Sequence, residues 1–325
     1  MKLTVLTAAD IRRALPIRAA IESQKRAYRA VATGEAAMPL RASVATPERE
    51  AVTLFMPARV ANDLGVKIVS IFPKNVASGL PMIHGVVIML DAATGQPAAL
   101  LDATYLTALR TAAGSGAATD VLARPAARIA GIIGSGALAR THLLAMCEIR
   151  PINEVRIYSR DPKHVAALID EMQPLVGAAL VAAPSPAAAV NEADVICCVT
   201  TSSTPVCFGR DVRPGAHING VGSYTPQMQE VDAHTVKLAG KVFVDSRESV
   251  LAEAGDVIYP INLGIITAND LIEIGEVIAG RHRGRESADG ITFFKSCGVA
   301  AQDVTAAGEV LRRAKELKLG TKISL

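Results

Sequence analysis

The residues best placed for chemistry begin with Gly134-Ser135-Gly136-Ala137-Leu138-Ala139, a GxGxxA directly after the apolar run RIAGII and directly before a helical segment. Gly134 permits a tight turn, Gly136 lets the backbone approach a pyrophosphate, and Ala139 keeps the helix close to the strand. With Ser135, Ala137 and Leu138, the helix N-terminus offers amides and partial positive charge to an anion. An ordinary strand-to-helix turn of small residues is the competing reading. The next strand-like run ends at Ser159-Arg160, 20 residues beyond Ala139, where an NAD-selective site carries an Asp or Glu for the ribose hydroxyls. Serine removes that carboxylate and Arg160 offers a forked donor for a 2′-phosphate, so NADP(H) is preferred and NAD(H) possible. Asp161 is the alternative, since a one-residue shift would put a carboxylate at the ribose. Thr200 and Thr201 close another apolar run, where a nicotinamide or ribose lies in such folds; a hydroxyl-rich turn explains them equally. Lys67 interrupts the apolar GVKIVSI. Burial there would depress its pKa and fit it for proton transfer near neutrality, whereas a solvent-facing strand position would leave it ordinary.

These residues need two kinds of element around them. The chain has 325 residues, which at about 150 per domain argues for two domains. Half of the residues are apolar, yet there are only 6 Phe, 5 Tyr and no Trp, so the core is aliphatic and suits close packing of helices on a sheet. A net charge of +3 without a block of like charges disfavours a nucleic-acid partner and leaves small-molecule chemistry. The five Cys show neither a CxxC pair nor metal-ligand spacing, so reduced thiols and no metal are expected. The N-terminal MKLTVLTAADIRRALP lacks the apolar core of a signal peptide, and the longest apolar runs fall far short of the ~20 residues of a membrane span. A cytoplasmic protein without a membrane partner is expected.

Helical spacing covers 11–33, ending at Gly34. Strand-like runs AVTLFMPA, GVKIVSIFP, IHGVVIMLD and PAALLDA follow, separated by turn residues, and Tyr105 to Leu122 is again helical. From residue 128 short apolar strands alternate with helices, the pattern of βαβ units and a parallel sheet. An amphipathic stretch, Asp303 to Leu317, closes the chain and is expected to pack back on the first domain.

Several spaced segments carry a resemblance: Met38 to Arg41, Leu64 to Ser70, Phe72 to Asn75, Leu80 to Gly85, Leu106 to Ala113, the GSGALA loop, Val221 to Pro226 and Phe294 to Gly298. In these the chain resembles the ornithine cyclodeaminase/mu-crystallin family over nearly its whole length. The resemblance implies an α/β protein with a Rossmann-type dinucleotide-binding domain, 123–300, and a smaller α+β domain, 1–122 plus 301–325, for substrate binding and homodimerisation. It assigns the substrate carboxylate to Arg110, with Arg41 as a second cation, and puts Lys67 in the substrate site. A surface salt bridge is the plain alternative for either arginine. Met56, Tyr224 and Cys297 are expected beside the substrate, and His84, Thr111, Val221, Gly222 and Ser296 beside the cofactor. A core Met, a buried hydrogen-bonded His and a packing Cys297 are the plainer readings of three of these.

Family members include ornithine cyclodeaminase, an alanine dehydrogenase, ketimine and cyclic imino-acid reductases, and mu-crystallin, which binds a small molecule in an NADPH-dependent way. Ornithine cyclisation needs an aspartate where this chain has Tyr224, and a neutral phenol cannot hold an ammonium group. The resemblance therefore points to reduction of an imino acid such as Δ1-pyrroline-2-carboxylate or Δ1-piperideine-2-carboxylate to proline or pipecolate. Arg110 and Arg41 would orient the substrate for hydride transfer and Lys67 would manage the proton. An alanine dehydrogenase, an open-chain ketimine reductase and a mu-crystallin-like binding protein are the alternatives.

Overall fold

In a computed structural model, residues 2–324 are described. The chain divides into two units, one formed by residues up to Arg110 and from Val299 onward, the other by Thr111–Gly298.

In the first unit, eight described strands form one sheet, ordered by first residue 321, 2, 97, 83, 63, 51 and 36, with Ala42–Thr46 also pairing with Ala51–Val60. The four runs anticipated above are its strands Ala51–Val60, Asp63–Ile71, Ile83–Asp91 and Pro97–Asp102, joined as antiparallel neighbours. Alternation gives the sheet two different faces. Met56, Lys67, Val87 and Leu101 fall in cross-strand register and all are buried. Phe55, Ile68 and Val86, with Val66, Ile88 and Leu100, share the opposite parity and stay only partly covered. Lys2–Leu6 and Thr321–Ser324 also pair antiparallel at the sheet edge; short, polar-interrupted strands carry little periodic signal.

The helical spacing of 11–33 resolves into two helices, Ala8–Ala14 and Ile17–Ala32. Pro16 separates them: it has no N–H to donate, and it forces Leu15 out of the helical region to φ −125° and ψ 82°. The closing helix, Ala300–Glu316, packs on Ile17–Ala32 and across the strands Ala51–Val60 and Asp63–Ile71, so the C-terminal stretch does return to the first unit.

The second unit is an α/β fold whose eight described strands are all parallel, ordered by first residue 179, 154, 129, 195, 217, 292, 242 and 271. Ile129–Ile133 lies where the order reverses: Glu154–Tyr158 and Ala179–Ala182 run out to one side, Val195–Cys198 and His217–Gly220 to the other. Ligands bind outside the carboxyl ends of strands at such a switch point, and that is where the glycine loop emerges. Gly131 shows how tightly the layers pack, since a Cβ there would stand 2.4 Å from the Ala189 carbonyl oxygen. Among the described residues no helix is long and apolar enough to cross a membrane.

Candidate functional site

Lys67 projects from the buried face of its strand into the N-terminal turn of Ala300–Glu316, where its Nζ lies 2.7 Å from Asp303 Oδ2. The other Asp303 oxygen is 2.9 Å from Nε of Arg110. All three are buried: Lys67 is 2 % exposed, Arg110 5 % and Asp303 0 %. The plain alternatives of a solvated lysine and a surface arginine are thereby removed. Arg110 also donates to Gln302 Oε1 at 3.1 Å, and that oxygen accepts the Val299 N–H at 2.9 Å. Gln302 in turn donates to the Tyr28 hydroxyl at 2.8 Å. The fork of Arg110 is thus fixed by two neighbours on one helix turn, the kind of restraint that orients a carboxylate ligand.

Burial drives the Lys67 ammonium down to about 8, against the pull of Asp303, with Arg110 and then Arg41 pushing the same way as burial. Arg41 is therefore electrostatically part of the group. Lys67 and Arg110 share the single carboxylate of Asp303, an arrangement that suits an anionic ligand. Met56 is buried directly across from Lys67. His84 has the opposite parity on its strand, pairs with Ser70 and is exposed, so the first unit does not gather it with Lys67.

Asp303 and Gln302 went unread in the sequence. The available signal was an acidic residue in the first turn of a helix, with the apolar Val304 after it; such a residue is ordinarily assigned to the helix dipole.

In the second unit, Gly134 takes φ +121°, and a Cβ there would come within 2.7 Å of the Val199 carbonyl oxygen, so the turn requires glycine. Gly136 opens Ala137–Ile149 without a capping side chain, and a Cβ on it would meet nothing within 4 Å. Ala139 is fully buried against the sheet. A cleft of about 770 Å³ is lined by Gly134, Ser135 and Gly136, by Ser159, Arg160 and His164, and by the stretch from Val199 to Thr204. Ala137 and Leu138 form the first helical turn beside it. This set fits a dinucleotide: an uncapped helix start with open space before it, strand ends at a switch point and a basic far end. Asp161 accepts the Lys163 N–H at 2.9 Å as the N-cap of Pro162–Met172. His164 was missed, because no pattern in sequence tells which face of a helix's first turn meets the cleft.

The hydroxyl of Thr200 donates to Glu230 at 2.8 Å, while Thr201 lines the cleft. Val221 is buried, and Gly222 presses so closely on Thr200 that a Cβ would stand 1.9 Å from its carbonyl oxygen. Ser296 donates to Asp245 at 2.7 Å, and that carboxylate also accepts the Gly298 N–H at 2.7 Å, which holds Cys297 between them. Thr111 is partly buried on the helix Ala103–Leu122. Tyr224 is partly buried, and burial raises its phenol above the ordinary value, so it is neutral at physiological pH. Among the described residues no cluster of His, Cys, Asp or Glu could hold a metal ion.

Comparison with known proteins bears on both units together. Residues 1–318 match the model of the ornithine cyclodeaminase/mu-crystallin family. A Delta(1)-pyrroline-2-carboxylate reductase of Bacillus cereus is 37% identical over 322 residues, 98% of this chain and 99% of that protein. The structure of Thermococcus litoralis Delta(1)-pyrroline-2-carboxylate reductase with NADH and L-proline superposes with a TM-score of 0.94 at 37% identity, covering 98% of this chain and 100% of that one. An archaeal alanine dehydrogenase dimer with bound NAD gives a TM-score of 0.92 at 33% identity over the whole of both chains. The glycine loop at the switch point and the match along nearly the full length lead to one conclusion: the chain belongs to the ornithine cyclodeaminase/mu-crystallin family and is an NAD(P)-dependent, imine-reductase-like oxidoreductase.

Proposed function

We propose that the protein reduces a cyclic imino acid of the Δ1-pyrroline-2-carboxylate or Δ1-piperideine-2-carboxylate kind to the L-amino acid, with NADPH preferred over NADH. The observation that carries this reading is the buried cluster of Lys67, Arg110 and Asp303. Arg110, with Arg41, binds the carboxylate. Lys67, whose pKa of about 8 keeps a transferable proton at neutrality, donates it to the imine nitrogen and so makes C2 electrophilic. The glycine loop and the Ser159–Arg160 end of the cleft would hold the dinucleotide, which when bound would supply the hydride. Tyr224, neutral and partly buried, offers no anion for an ornithine side chain and argues against cyclodeamination. Both reductase relatives named above support the substrate class.

The deciding test is a substrate panel. Dinucleotide oxidation with pyrroline-2-carboxylate or piperideine-2-carboxylate supports the reading. Oxidation confined to pyruvate plus ammonia would make the protein an alanine dehydrogenase, and oxidation confined to an open-chain ketimine a ketimine reductase. Ligand-dependent quenching without turnover would make it a binding protein.

The NADPH preference rests on Ser159, Arg160 and His164 at one end of the cleft and on Asp161 being engaged as a helix cap, although the two solved relatives hold NADH and NAD. Arg160→Ala is expected to weaken NADPH binding by about tenfold or more, the scale of one charge-assisted hydrogen bond, and to change NADH binding far less. Equal losses in the two titrations would remove the phosphate contact. A homodimer is part of the same proposal. The half-covered apolar face of the first sheet, Phe55, Val66, Ile68, Val86 and Ile88, is of the kind a second copy buries, and light scattering checks it.

A further inference from the structure

Glu230 is fully buried and belongs to no motif singled out in the sequence. Its Oε1 accepts the Thr200 N–H at 2.6 Å and the Thr200 hydroxyl at 2.8 Å. Its Oε2 accepts the Gly222 N–H at 2.6 Å and the Ser223 N–H at 3.1 Å. One carboxylate therefore ties together the chain leaving two neighbouring parallel strands, Val195–Cys198 and His217–Gly220.

The surroundings are built to keep it there. Asp256 Oδ1 accepts the Glu230 N–H at 2.7 Å and the Val231 N–H at 3.0 Å. Lys295, at the end of the next strand, lies 2.9 Å from Asp256 Oδ2 and donates to the Ser223 carbonyl oxygen at 2.6 Å. Asp256 and Lys295 are also fully buried. Placing two carboxylates and an ammonium in the interior is costly unless every member is engaged, and an aliphatic core alone would give the sheet its stability. The network is concentrated at the strand ends that face the cleft: Thr200 begins the run of hydroxyl residues lining it, and Gly222-Ser223 leads directly into Tyr224.

We infer that Glu230 is a positioning residue for the reaction: it fixes the Thr200 turn against the dinucleotide and the Gly222–Tyr224 segment against the imino acid, without touching either. This rests on the cleft being the dinucleotide site. A glutamine at 230 keeps the shape but replaces one acceptor oxygen with an NH2 that faces N–H donors, so one of the two strand ends is released.

The test titrates NADPH and NADH into wild type and variants by fluorescence, alongside steady-state kinetics and thermal melting. Glu230→Gln is expected to raise the dinucleotide Kd and the imino-acid KM by about tenfold or more, with kcat at saturation within a few-fold of wild type. A merely structural role would lower the melting point and leave Kd and KM unmoved in the folded fraction; that result overturns the inference. Should Glu230→Gln fail to fold, Thr200→Val removes the hydroxyl that Glu230 holds and that in turn accepts the Ser202 N–H at 3.1 Å. It is expected to raise Kd in the same direction and less, with Thr200→Ser restoring it, and a wild-type Kd for Thr200→Val overturns the inference as well. Gly136→Val separates this from failure of the cleft itself. A Cβ there meets nothing within 4 Å, so the fold is expected to stand while the side chain fills the pyrophosphate place. Undiminished dinucleotide binding to Gly136→Val would remove the cleft reading and the inference with it. Loss of binding in Gly136→Val but not in Glu230→Gln would sink the inference alone.

Discussion

Lys67→Met is expected to lower kcat for the imino acid by about a hundredfold or more, the ordinary scale of general acid catalysis, while NADPH binds as it does to wild type. Met matches the length of the apolar stem and leaves the site buried, so the change isolates the ammonium. Arg110 keeps its Asp303 and Gln302 contacts, so the carboxylate anchor survives and KM moves much less than kcat. In wild type this ammonium sets the alkaline limb of the pH profile. The group donates when protonated, so activity is full below its pKa and falls as pH rises through about 8. Lys67→Met should have lost that limb, its residual rate flat across the same interval. An unchanged kcat in the variant would remove Lys67 from the reaction.

That reading depends on a feature visible in sequence and another that was not. Lys67 inside GVKIVSI is conspicuous because a charged residue breaks an aliphatic run, and the strand and its antiparallel neighbours follow from period-two patterning and the turn residues between them. The glycine loop was legible for the same reason: each glycine has a local geometric duty, and strand, loop and helix are contiguous. Asp303 lies 236 positions after Lys67, and nothing local marks an aspartate in a helix's first turn as the counter-ion of a distant lysine. Glu230 and Asp256 were hidden similarly. Most of their partners are backbone N–H groups, which every residue possesses, and the two side chains that complete the set, the Thr200 hydroxyl and Lys295, lie far along the chain from them. The helix 11–33 divided because a single Pro16 outweighed a periodicity that continues through it.

The identity of Asp303 as the organiser of the cluster leads to the second large effect. Asp303→Asn leaves Lys67 and Arg110 buried without their common anion, and breaking a buried ion pair by removing one member costs about 3–5 kcal/mol. Denaturant titration should show a loss of that order. The chemistry should change in a separable way. Asp303 is what raises the Lys67 pKa against burial, and Arg110 and Arg41 both lower it. With the carboxylate gone, the remaining influences all favour neutral lysine, so the falling limb of the pH profile moves below 8 and activity at neutral pH drops with it. Activity recovered at lower pH would distinguish loss of the proton from loss of the fold, because an unfolded protein regains nothing on acidification. Lys67→Met combined with Asp303→Asn removes a charge of each sign, so the double variant should be destabilised by less than the sum of the singles. Additive losses, or a limb that stays near 8 in Asp303→Asn, would mean that the 2.7 Å contact does not govern the protonation of Lys67, and the acid would have to be sought elsewhere.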